Sequence, residues 1–178
     1  MGVDALNRAV FLDRDGTLME EVHYCKDPAL VRVFPGVASA LRALRVTGWK
    51  CIVITNQSGI GRGLITEAEY HAVDEELQRQ LDGLIDATYF CPDTPDKPSA
   101  RRKPEPGMLL EAASDLALDL KASFFIGDKE ADIACGKAVG CRTILVQTGY
   151  GANYAGSPPD FTVPDLVDAA SLILKNTR

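Results

Sequence analysis

Short apolar runs alternate with amphipathic stretches of helical length along the chain. The runs are apolar at nearly every position, as in strands that are buried on both faces of a sheet. Because parallel neighbours need helical crossovers, the alternation predicts an α/β fold: a doubly wound parallel sheet flanked by helices. The predicted strands are 9–12, 51–54, 88–90, 123–126 and 143–146, and the predicted helices are 37–46, 66–84, 106–118 and 132–139.

Length and charge limit what the chain can do. Its 178 residues suffice for one domain with a sizeable core, so we expect a single domain over 1–178 without a separate cap domain. A net charge of -6 disfavours nucleic acid and anionic membranes as partners. No apolar stretch approaches the ~20 residues that span a bilayer. Five scattered cysteines favour a reduced, cytoplasmic protein, and we expect a monomer.

Acidic and hydroxyl side chains follow three of the predicted strands at the point where each strand ends. They lie in 13–17, 55–59 and 127–132. Since ligands of such sheets bind beyond the carboxyl ends of the strands, we expect the three segments to converge on one site. Carboxylates crowded beside an apolar core repel one another, and a hard cation such as Mg²⁺ offsets that repulsion. The same residue types also form turns and helix caps, so each segment alone has a purely structural alternative.

A run of three basic residues ends at Lys103 and leads through Pro104 and Pro106 into the third predicted helix. The two prolines stiffen the chain and would direct Lys103 toward the same edge of the sheet. A cation there would hold a phosphate and offset the crowded carboxylates. The alternative is a solvated charge run, which is the usual fate of such segments.

Four ordered motifs resemble the signature of the haloacid dehalogenase (HAD) superfamily. They are Asp13-x-Asp15-Gly16-Thr17, Thr55-Asn56, Lys103-Pro104 and Gly127-Asp128-x-x-x-Asp132, and together they extend over most of the chain. The resemblance implies a Rossmann-like, HAD-like hydrolase domain. It also implies a phosphatase, because members with that activity carry Asp at the position of Asp15. Asp13 would be the nucleophile that forms an aspartyl-phosphate, and Asp15 the general acid and base.

The same resemblance implies a cofactor and its ligands. Mg²⁺ would be held by Asp13, by a main-chain carbonyl of Asp15 and by Asp128, with Asp132 supporting the site from behind. The groups that would bind the phosphoryl oxygens are Thr55, Asn56 and Lys103.

Within the superfamily, the chain is most similar to the D-glycero-D-manno-heptose-1,7-bisphosphate phosphatases. The similarity lies in four matches, at 11–18, 55–63, 102–108 and 127–129. It implies removal of the C7 phosphate of that sugar. Histidinol-phosphate phosphatases share the opening but typically lack the Gly-Arg-Gly segment at 61–63. They, or other small sugar-phosphate phosphatases, are the alternative, and a non-catalytic phosphosugar-binding protein is a more distant one.

A bisphosphate has a second anionic end, which needs cations of its own. The spare cations near the predicted site are Arg62, Arg102 and Lys129, and ordinary surface charge is the alternative for each. A small flap at about 18–33 is expected to bring Glu21 and Tyr24 to the substrate.

One loop departs from the pattern of these phosphatases. Members commonly hold a structural zinc with a Cys-x-His pair and a Cys-x-Cys pair. Here only Cys91 remains, and Ser99 and Arg101 occupy the positions of the later pair. A single thiolate cannot complete a tetrahedral zinc site, so we predict no zinc and an ordinary buried Cys91.

Overall fold

The computed structural model describes residues 7–176, and these residues form a six-stranded sheet in which every pair of neighbours is parallel. The strands are β1 (Ala9–Leu12), β2 (Lys50–Asn56), β3 (Ala87–Cys91), β4 (Phe124–Gly127), β5 (Arg142–Val146) and β6 (Phe161–Val163). Their order across the sheet is β3-β2-β1-β4-β5-β6. The chain thus builds outward from β1 in one direction and then from β4 in the other, which places the topological switch point between these two strands. The predicted α/β fold is confirmed.

Six α-helices connect or follow the strands in the described part of the chain. They are α1 (Val37–Val46), α2 (Ser58–Gly61), α3 (Glu67–Gln80), α4 (Gly107–Leu116), α5 (Glu130–Ala138) and α6 (Leu166–Lys175). The four predicted helices correspond to α1, α3, α4 and α5, whereas α2, α6 and the edge strand β6 were not predicted. Within residues 7–176, no helix has the length and apolar character needed to cross a membrane.

The sheet is covered on both faces, as its buried central strands β1, β2, β4 and β5 require. Side chains alternate along β1: Val10 and Leu12 pack into one apolar cluster with α1, α3 and α6. Ala9 and Phe11 point the other way, into a second cluster with α4 and α5. All four of these β1 side chains are fully buried, so the strand is fixed at the centre of the molecule and its carboxyl end has little freedom.

The segment between β1 and α1 folds back on itself beside the end of β1. The N–H of Glu20 donates to the carbonyl of Arg32 at 2.9 Å, and that of Phe34 donates to the carbonyl of Leu18 at 3.1 Å. A short 3₁₀ helix, Pro28–Leu30, closes the excursion. This segment corresponds to the predicted flap at 18–33, whose role as a flap stays a prediction.

Candidate active site

Asp13 lies directly after β1, next to the switch point of the sheet. Its N–H donates to the carbonyl of Ile126 in β4 at 3.0 Å, which continues the strand ladder and fixes the backbone. The side chain is 4% exposed. Lys103 Nζ donates to Asp13 Oδ1 at 2.9 Å, and Lys129 Nζ lies 3.8 Å from Oδ2. Burial opposes ionisation, yet the two ammonium groups hold the pKa of Asp13 below its ordinary value, so the side chain is a carboxylate.

Lys103 is buried at the centre of this cluster. Besides Asp13, its Nζ contacts Asp132 Oδ1 at 2.7 Å and the carbonyl of Ile54 at 2.8 Å. Burial lowers its pKa, but the charges of Asp13 and Asp132 outweigh burial and raise it, so the ammonium stays protonated. Asn56 fixes the main chain here: its amide donates to the carbonyl of Lys103 at 3.0 Å and accepts from the N–H of Lys103 at 3.1 Å. Asn56 thus positions the lysine, and its predicted binding of a phosphoryl oxygen stays a prediction.

Three buried carboxylates, one of them that of Asp13, converge at this site. Asp13, Asp128 and Asp132 each offer an oxygen within 4.8 Å of the others. The Asp132 oxygens are already used by the protein, because Oδ1 binds Lys103 and Oδ2 accepts the N–H groups of Asp128 and Lys129 at 3.2 and 3.1 Å. Burial and the charge of Asp13 raise the pKa of Asp128 to about 8. The structure thus leaves Asp13 and Asp128 as the acids free to face a cation, with Asp132 behind them.

Two features show that a divalent cation fits this cluster. Asp128 Oδ1 is buried without a hydrogen-bond partner among the described residues, whereas Oδ2 accepts the N–H of Tyr150 at 2.9 Å. The backbone also approaches closely: a Cβ on Gly16 (φ 84°) or Gly149 (φ 55°) would lie 2.3 or 2.2 Å from Asp128 Oδ2. Crowded carboxyl oxygens, one of them without a hydrogen-bond partner, are the donor set that Mg²⁺ prefers.

Asp15 is held in one orientation at the edge of this cluster. Arg14 contacts it with two nitrogens, Nε to Oδ2 at 3.0 Å and Nη2 to Oδ1 at 3.1 Å. Gln57 Nε2 donates both to Asp15 Oδ2 at 3.0 Å and to Thr55 Oγ at 2.8 Å. Thr55 is 1% exposed. Arg14 and Gln57 lie within the recognised motifs, yet sequence reasoning gave them no role, because their contacts depend on side-chain direction.

A cavity of about 310 Å³ opens beside Asp15 and Lys103, whereas the buried Asp13, Thr55, Asp128 and Asp132 are not among its lining residues. This volume is at the lower end of the range of about 300–1,000 Å³ for small-molecule sites. Arg62 is exposed and does not border the cavity, and its charge acts on Asp96 instead. The predicted site residues that do line the cavity are Asp15, Glu21, Tyr24, Asn56, Arg102, Lys103 and Lys129.

A larger hollow of about 690 Å³ lies at the opposite end of the sheet, beside Arg8, which precedes β1. It is lined by aliphatic groups and by Arg8 and Arg42, and none of the described residues that line it is acidic. It therefore lacks the groups that acid, base or metal chemistry needs, and the smaller cavity is the candidate active site.

Comparisons with known proteins place the chain in a family. A family model described as HAD-hydrolase-like matches residues 100–169. The D-glycero-D-manno-heptose-1,7-bisphosphate 7-phosphatase of Thermosynechococcus vestitus is 40% identical over 186 residues, which cover 93% of this chain and 94% of that protein. The chain belongs to the family of HAD-type heptose-bisphosphate phosphatases.

Two further members of this family support the assignment. The D-glycero-beta-D-manno-heptose-1,7-bisphosphate 7-phosphatase of Salmonella typhi is 35% identical over 182 residues, covering 96% of this chain and 97% of that protein. The crystal structure of the D,D-heptose 1.7-bisphosphate phosphatase from B. bronchiseptica, complexed with magnesium and phosphate, matches with a TM-score of 0.88. It is 31% identical, and the match covers 96% of this chain and 99% of that one. The resemblance to HAD-type phosphatases that the motifs predicted is confirmed.

In this member of the heptose-bisphosphate phosphatase family, the loop after β3 is held by hydrogen bonds. Asp93 Oδ2 accepts the N–H of Ser99 at 2.9 Å, and the Asp93 carbonyl accepts Arg102 Nη1 at 2.7 Å. Cys91 is buried, with 1% of its surface exposed. These bonds give the loop an ordered path to Arg102, and the predicted lack of zinc stays a prediction.

Proposed function

We propose that this protein is a Mg²⁺-dependent phosphomonoesterase that removes the C7 phosphate of D-glycero-D-manno-heptose 1,7-bisphosphate. The observation that carries the proposal is the placement of Asp13: an ionised carboxylate at the switch point, beside Lys103 and Lys129 and above Asp128. Such an arrangement gives a nucleophile an anion-binding environment. The family relationship adds the substrate, because the relatives at 40% and 35% identity bear that name over nearly their whole length.

In the first half of the reaction, an Asp13 carboxylate oxygen attacks phosphorus. A P–O bond to Asp13 forms while the bond from phosphorus to the sugar oxygen breaks, and that oxygen takes the proton of the Asp15 carboxyl group. Lys103 and the hydroxyl of Thr55 bind the phosphoryl oxygens, where charge accumulates in the transition state. The free sugar hydroxyl leaves, and the phosphoryl group remains on Asp13.

In the second half, water attacks the phosphorus of the aspartyl-phosphate. Asp15, now a carboxylate, accepts a proton from that water, and the bond between phosphorus and the Asp13 oxygen breaks. Inorganic phosphate and the original carboxylate of Asp13 are regenerated, and Asp15 carries its proton again. One aspartate thus acts as nucleophile and the other as acid and then base.

Asp13, Asp128 and the main-chain carbonyl of Asp15 would hold Mg²⁺, with Asp132 oriented behind them. The cation would neutralise charge on the nucleophile and the phosphoryl group, so that two anions can approach each other. Asp132 keeps its oxygens on Lys103 and on the N–H groups that open α5, so it acts as a support for the cluster.

Two cations that line the cavity suit the two phosphates of a bisphosphate. Arg102 and Lys129 both border the cavity, and Lys129 Nζ lies 3.3 Å from Glu21 Oε2. Burial lowers the pKa of Lys129, but the charges of Asp13, Asp128 and Glu21 outweigh burial and raise it. Guanidinium and ammonium groups both bind phosphate oxygens well. Arg62 lies outside the cavity, so its predicted contact with substrate has less support.

The test is Mg²⁺-dependent phosphate release with the two heptose 1,7-bisphosphate anomers, histidinol phosphate and fructose 1,6-bisphosphate. We expect kcat/KM for one heptose anomer to exceed that for the other substrates by about 100-fold or more. Preference for histidinol phosphate would favour the alternative substrate. Tight binding of sugar phosphates without any release of phosphate would favour a non-catalytic binding protein.

The roles of the two aspartates are tested by replacing each with its amide. Asp13→Asn removes the nucleophile and should abolish turnover, and Asp15→Asn should nearly do so for sugar phosphates. Asp82→Asn is the control, because Asp82 forms an exposed ion pair with Arg42 away from the site. An active Asp13→Asn protein would contradict the proposed mechanism.

We further propose that the enzyme acts as a cytoplasmic monomer. All five cysteines are unpaired thiols, as expected of a protein from a reducing compartment. Sedimentation at concentrations used in the assays tests the oligomeric state, and a stable dimer would contradict this part of the proposal.

A further inference from the structure

Arg14 has the largest fully buried side chain in the described part of the chain, with 1% of its surface exposed. It lies between Asp13 and Asp15 in the sequence. Arginine does not lose its proton in proteins, so this position holds a permanent buried charge. Burying a charge is costly unless it is paired, and nothing in the proposed chemistry so far uses this one. The position of Arg14 therefore needs an explanation of its own.

The guanidinium of Arg14 binds the Asp15 carboxylate side-on. Two nearly equal contacts, Nε to Oδ2 at 3.0 Å and Nη2 to Oδ1 at 3.1 Å, fix the plane of the carboxylate as well as its distance. Gln57 adds a third hydrogen bond at Oδ2. A lysine offers a single point charge and could not set that plane.

On its other side, Arg14 faces α3. Its guanidinium carbon lies 5.6 Å from the centre of the Tyr70 ring, which in turn packs on Phe90 at 4.3 Å. Asp74 follows Tyr70 by one helical turn, and the charges of Asp74 and Arg14 act on each other. Arg14 Nη1, the Tyr70 hydroxyl and Asp74 Oδ1 are all buried and lack a hydrogen-bond partner among the described residues. Such atoms are uncommon in folded proteins, so the side of α3 that faces Arg14 differs from ordinary apolar packing.

We propose that Arg14 is a positioning residue: packed against the ring of Tyr70, its guanidinium sets the orientation of Asp15 for proton transfer to the leaving oxygen. The inference rests on the proposed function, in which Asp15 supplies that proton. Arg14 borders the cavity, but in this role it acts through Asp15. It links the geometry of α3 to the acid–base group.

The dependence of rate on the leaving group tests this role. A sugar alkoxide needs a proton to leave, whereas 4-nitrophenolate leaves without one, so loss of a well-placed acid slows transfer of the phosphoryl group to Asp13 only for the sugar phosphate. Asp15 is also the base of the second half of the reaction, which both substrates share, so the rate to compare is release of the leaving group in a single turnover. We expect Arg14→Lys to lower this rate by about 100-fold for the sugar phosphate and by less than about 3-fold for 4-nitrophenyl phosphate. The substrate concentration that gives the half-maximal rate should change little. A purely structural role would lower both rates by the same factor, which would overturn the proposal.

A second variant covers the case in which Arg14→Lys does not fold. Asp74→Asn keeps the side-chain volume but removes the charge behind Arg14, and we expect the same selective loss at about 3- to 10-fold. Equal losses on the two substrates, or no loss on either, would overturn the proposal. The matched control is Arg79→Lys on α3: Arg79 makes the same two-nitrogen contact with Glu76, at 2.7 Å for both bonds, but on the surface. It should change neither rate.

Asp15→Asn separates failure of this inference from failure of the proposed function. If Asp15→Asn slows the sugar phosphate selectively while the Arg14 and Asp74 variants do not, Asp15 is the acid and only the positioning role is wrong. If Asp15→Asn slows both substrates equally, the acid role assigned to Asp15 is itself wrong, and the inference falls with it.

Discussion

At the scale of single residues, the site depends on how closely the backbone approaches Asp128. Gly16 and Gly149 meet at its carboxylate, in a conformation that favours glycine and in a space that has no room for a side chain. The spacing of these glycines from the acid along the chain does not reveal the contact. It becomes visible only when the loop after β5 is placed beside the end of β1.

We expect Gly149→Ala to weaken Mg²⁺ binding, because the new methyl group would collide with Asp128 Oδ2. The variant should need at least about 10-fold more Mg²⁺ for half-maximal activity, since a shift of 1.4 kcal/mol in binding corresponds to that factor. Gly48→Ala is the matched control: Gly48 also has a positive φ, 88°, but nothing lies near its added Cβ. It should cost only backbone strain, about 1–2 kcal/mol of stability. Equal Mg²⁺ requirements in the two variants would contradict the argument.

The charge of Lys103 offsets the repulsion between the buried carboxylates, so its removal should destabilise the fold. In Lys103→Met, Asp13 and Asp132 lose their shared partner. We expect the free energy of unfolding without Mg²⁺ to fall by about 3–5 kcal/mol, as when one partner of a buried ion pair is removed. Added Mg²⁺ should restore part of it. Lys121→Met, at an exposed position, should change stability by no more than about 0.5 kcal/mol in urea titrations.

The charged residues of the candidate site were the easiest to find in the sequence. Asp13, Lys103, Asp128 and Asp132 meet where the ends of β1, β2 and β4 predicted a site, because strand ends and charge are both visible in one dimension. Side-chain direction is not visible in that way. Asn56 binds the main chain of Lys103, 47 positions away, and only the folded chain shows that its amide faces the lysine loop.

At the scale of elements, α3 is the helix on which the acid–base group depends through Tyr70 and Asp74. Its start is fixed by a capping box, in which Thr66 and Glu69 bind each other's backbone N–H groups. Such a pair can be recognised in the sequence, since its chemistry is local. Helix starts with such capping residues can therefore be predicted from the sequence alone.

Removal of this cap should be measurable in stability. Thr66→Ala leaves an N–H group of the first turn unpaired and should lower the free energy of unfolding by about 1 kcal/mol. The corresponding fall in Tm is about 2–4 °C for a chain of this size. Ser114→Ala removes a hydroxyl from an exposed position inside α4 and should be neutral or slightly stabilising. A Tm for Thr66→Ala that matches the unmodified protein would show that the cap contributes nothing.

Three elements escaped sequence reasoning, two of them for a physical reason. The strand β6 is three residues long and half-exposed at the sheet edge, so it lacks the continuous apolar run of its neighbours. The helix α2 has the sequence Ser-Gly-Ile-Gly, a poor helix former, and tertiary bonds such as Gly61 N–H to the Pro92 carbonyl fix it in place. By contrast, α6 had a readable signal, because Asp165 caps it by accepting the N–H of Asp168.

At the scale of the whole molecule, the five cysteines report whether the two apolar clusters on the faces of the sheet exclude solvent. All five are buried on or beside the sheet. Burial raises the pKa of Cys51, Cys135 and Cys141 to about 12. The thiolate, which is the reactive form, is therefore nearly absent from the folded protein at neutral pH.

We expect iodoacetamide at pH 8 to leave the folded protein unlabelled and to label all five cysteines in denaturant, as read by mass spectrometry. The same shifts predict alkaline destabilisation. Below pH 9.0, the ordinary thiol pKa, both states are protonated and the contribution to stability is full. As the pH rises from there toward 12, the unfolded chain releases protons that the folded chain keeps, so the free energy of unfolding falls. Rapid labelling of Cys51 in the folded protein would show that the apolar clusters around the sheet open to solvent.

The central position of β1 has a consequence for synthesis on the ribosome. The strand that carries Asp13 leaves the ribosome first, but one of its two neighbours, β4, follows much later: the bond from Ala9 N–H to Ser123 Oγ closes a separation of 114 positions. Until then the apolar β1 has one open edge, where chaperones or aggregating strands can pair with it. A nascent chain that stalls before β4 holds the nucleophile without Asp128 or Asp132. Activity should therefore appear only after Asp132 has been made, however slowly the earlier part is translated.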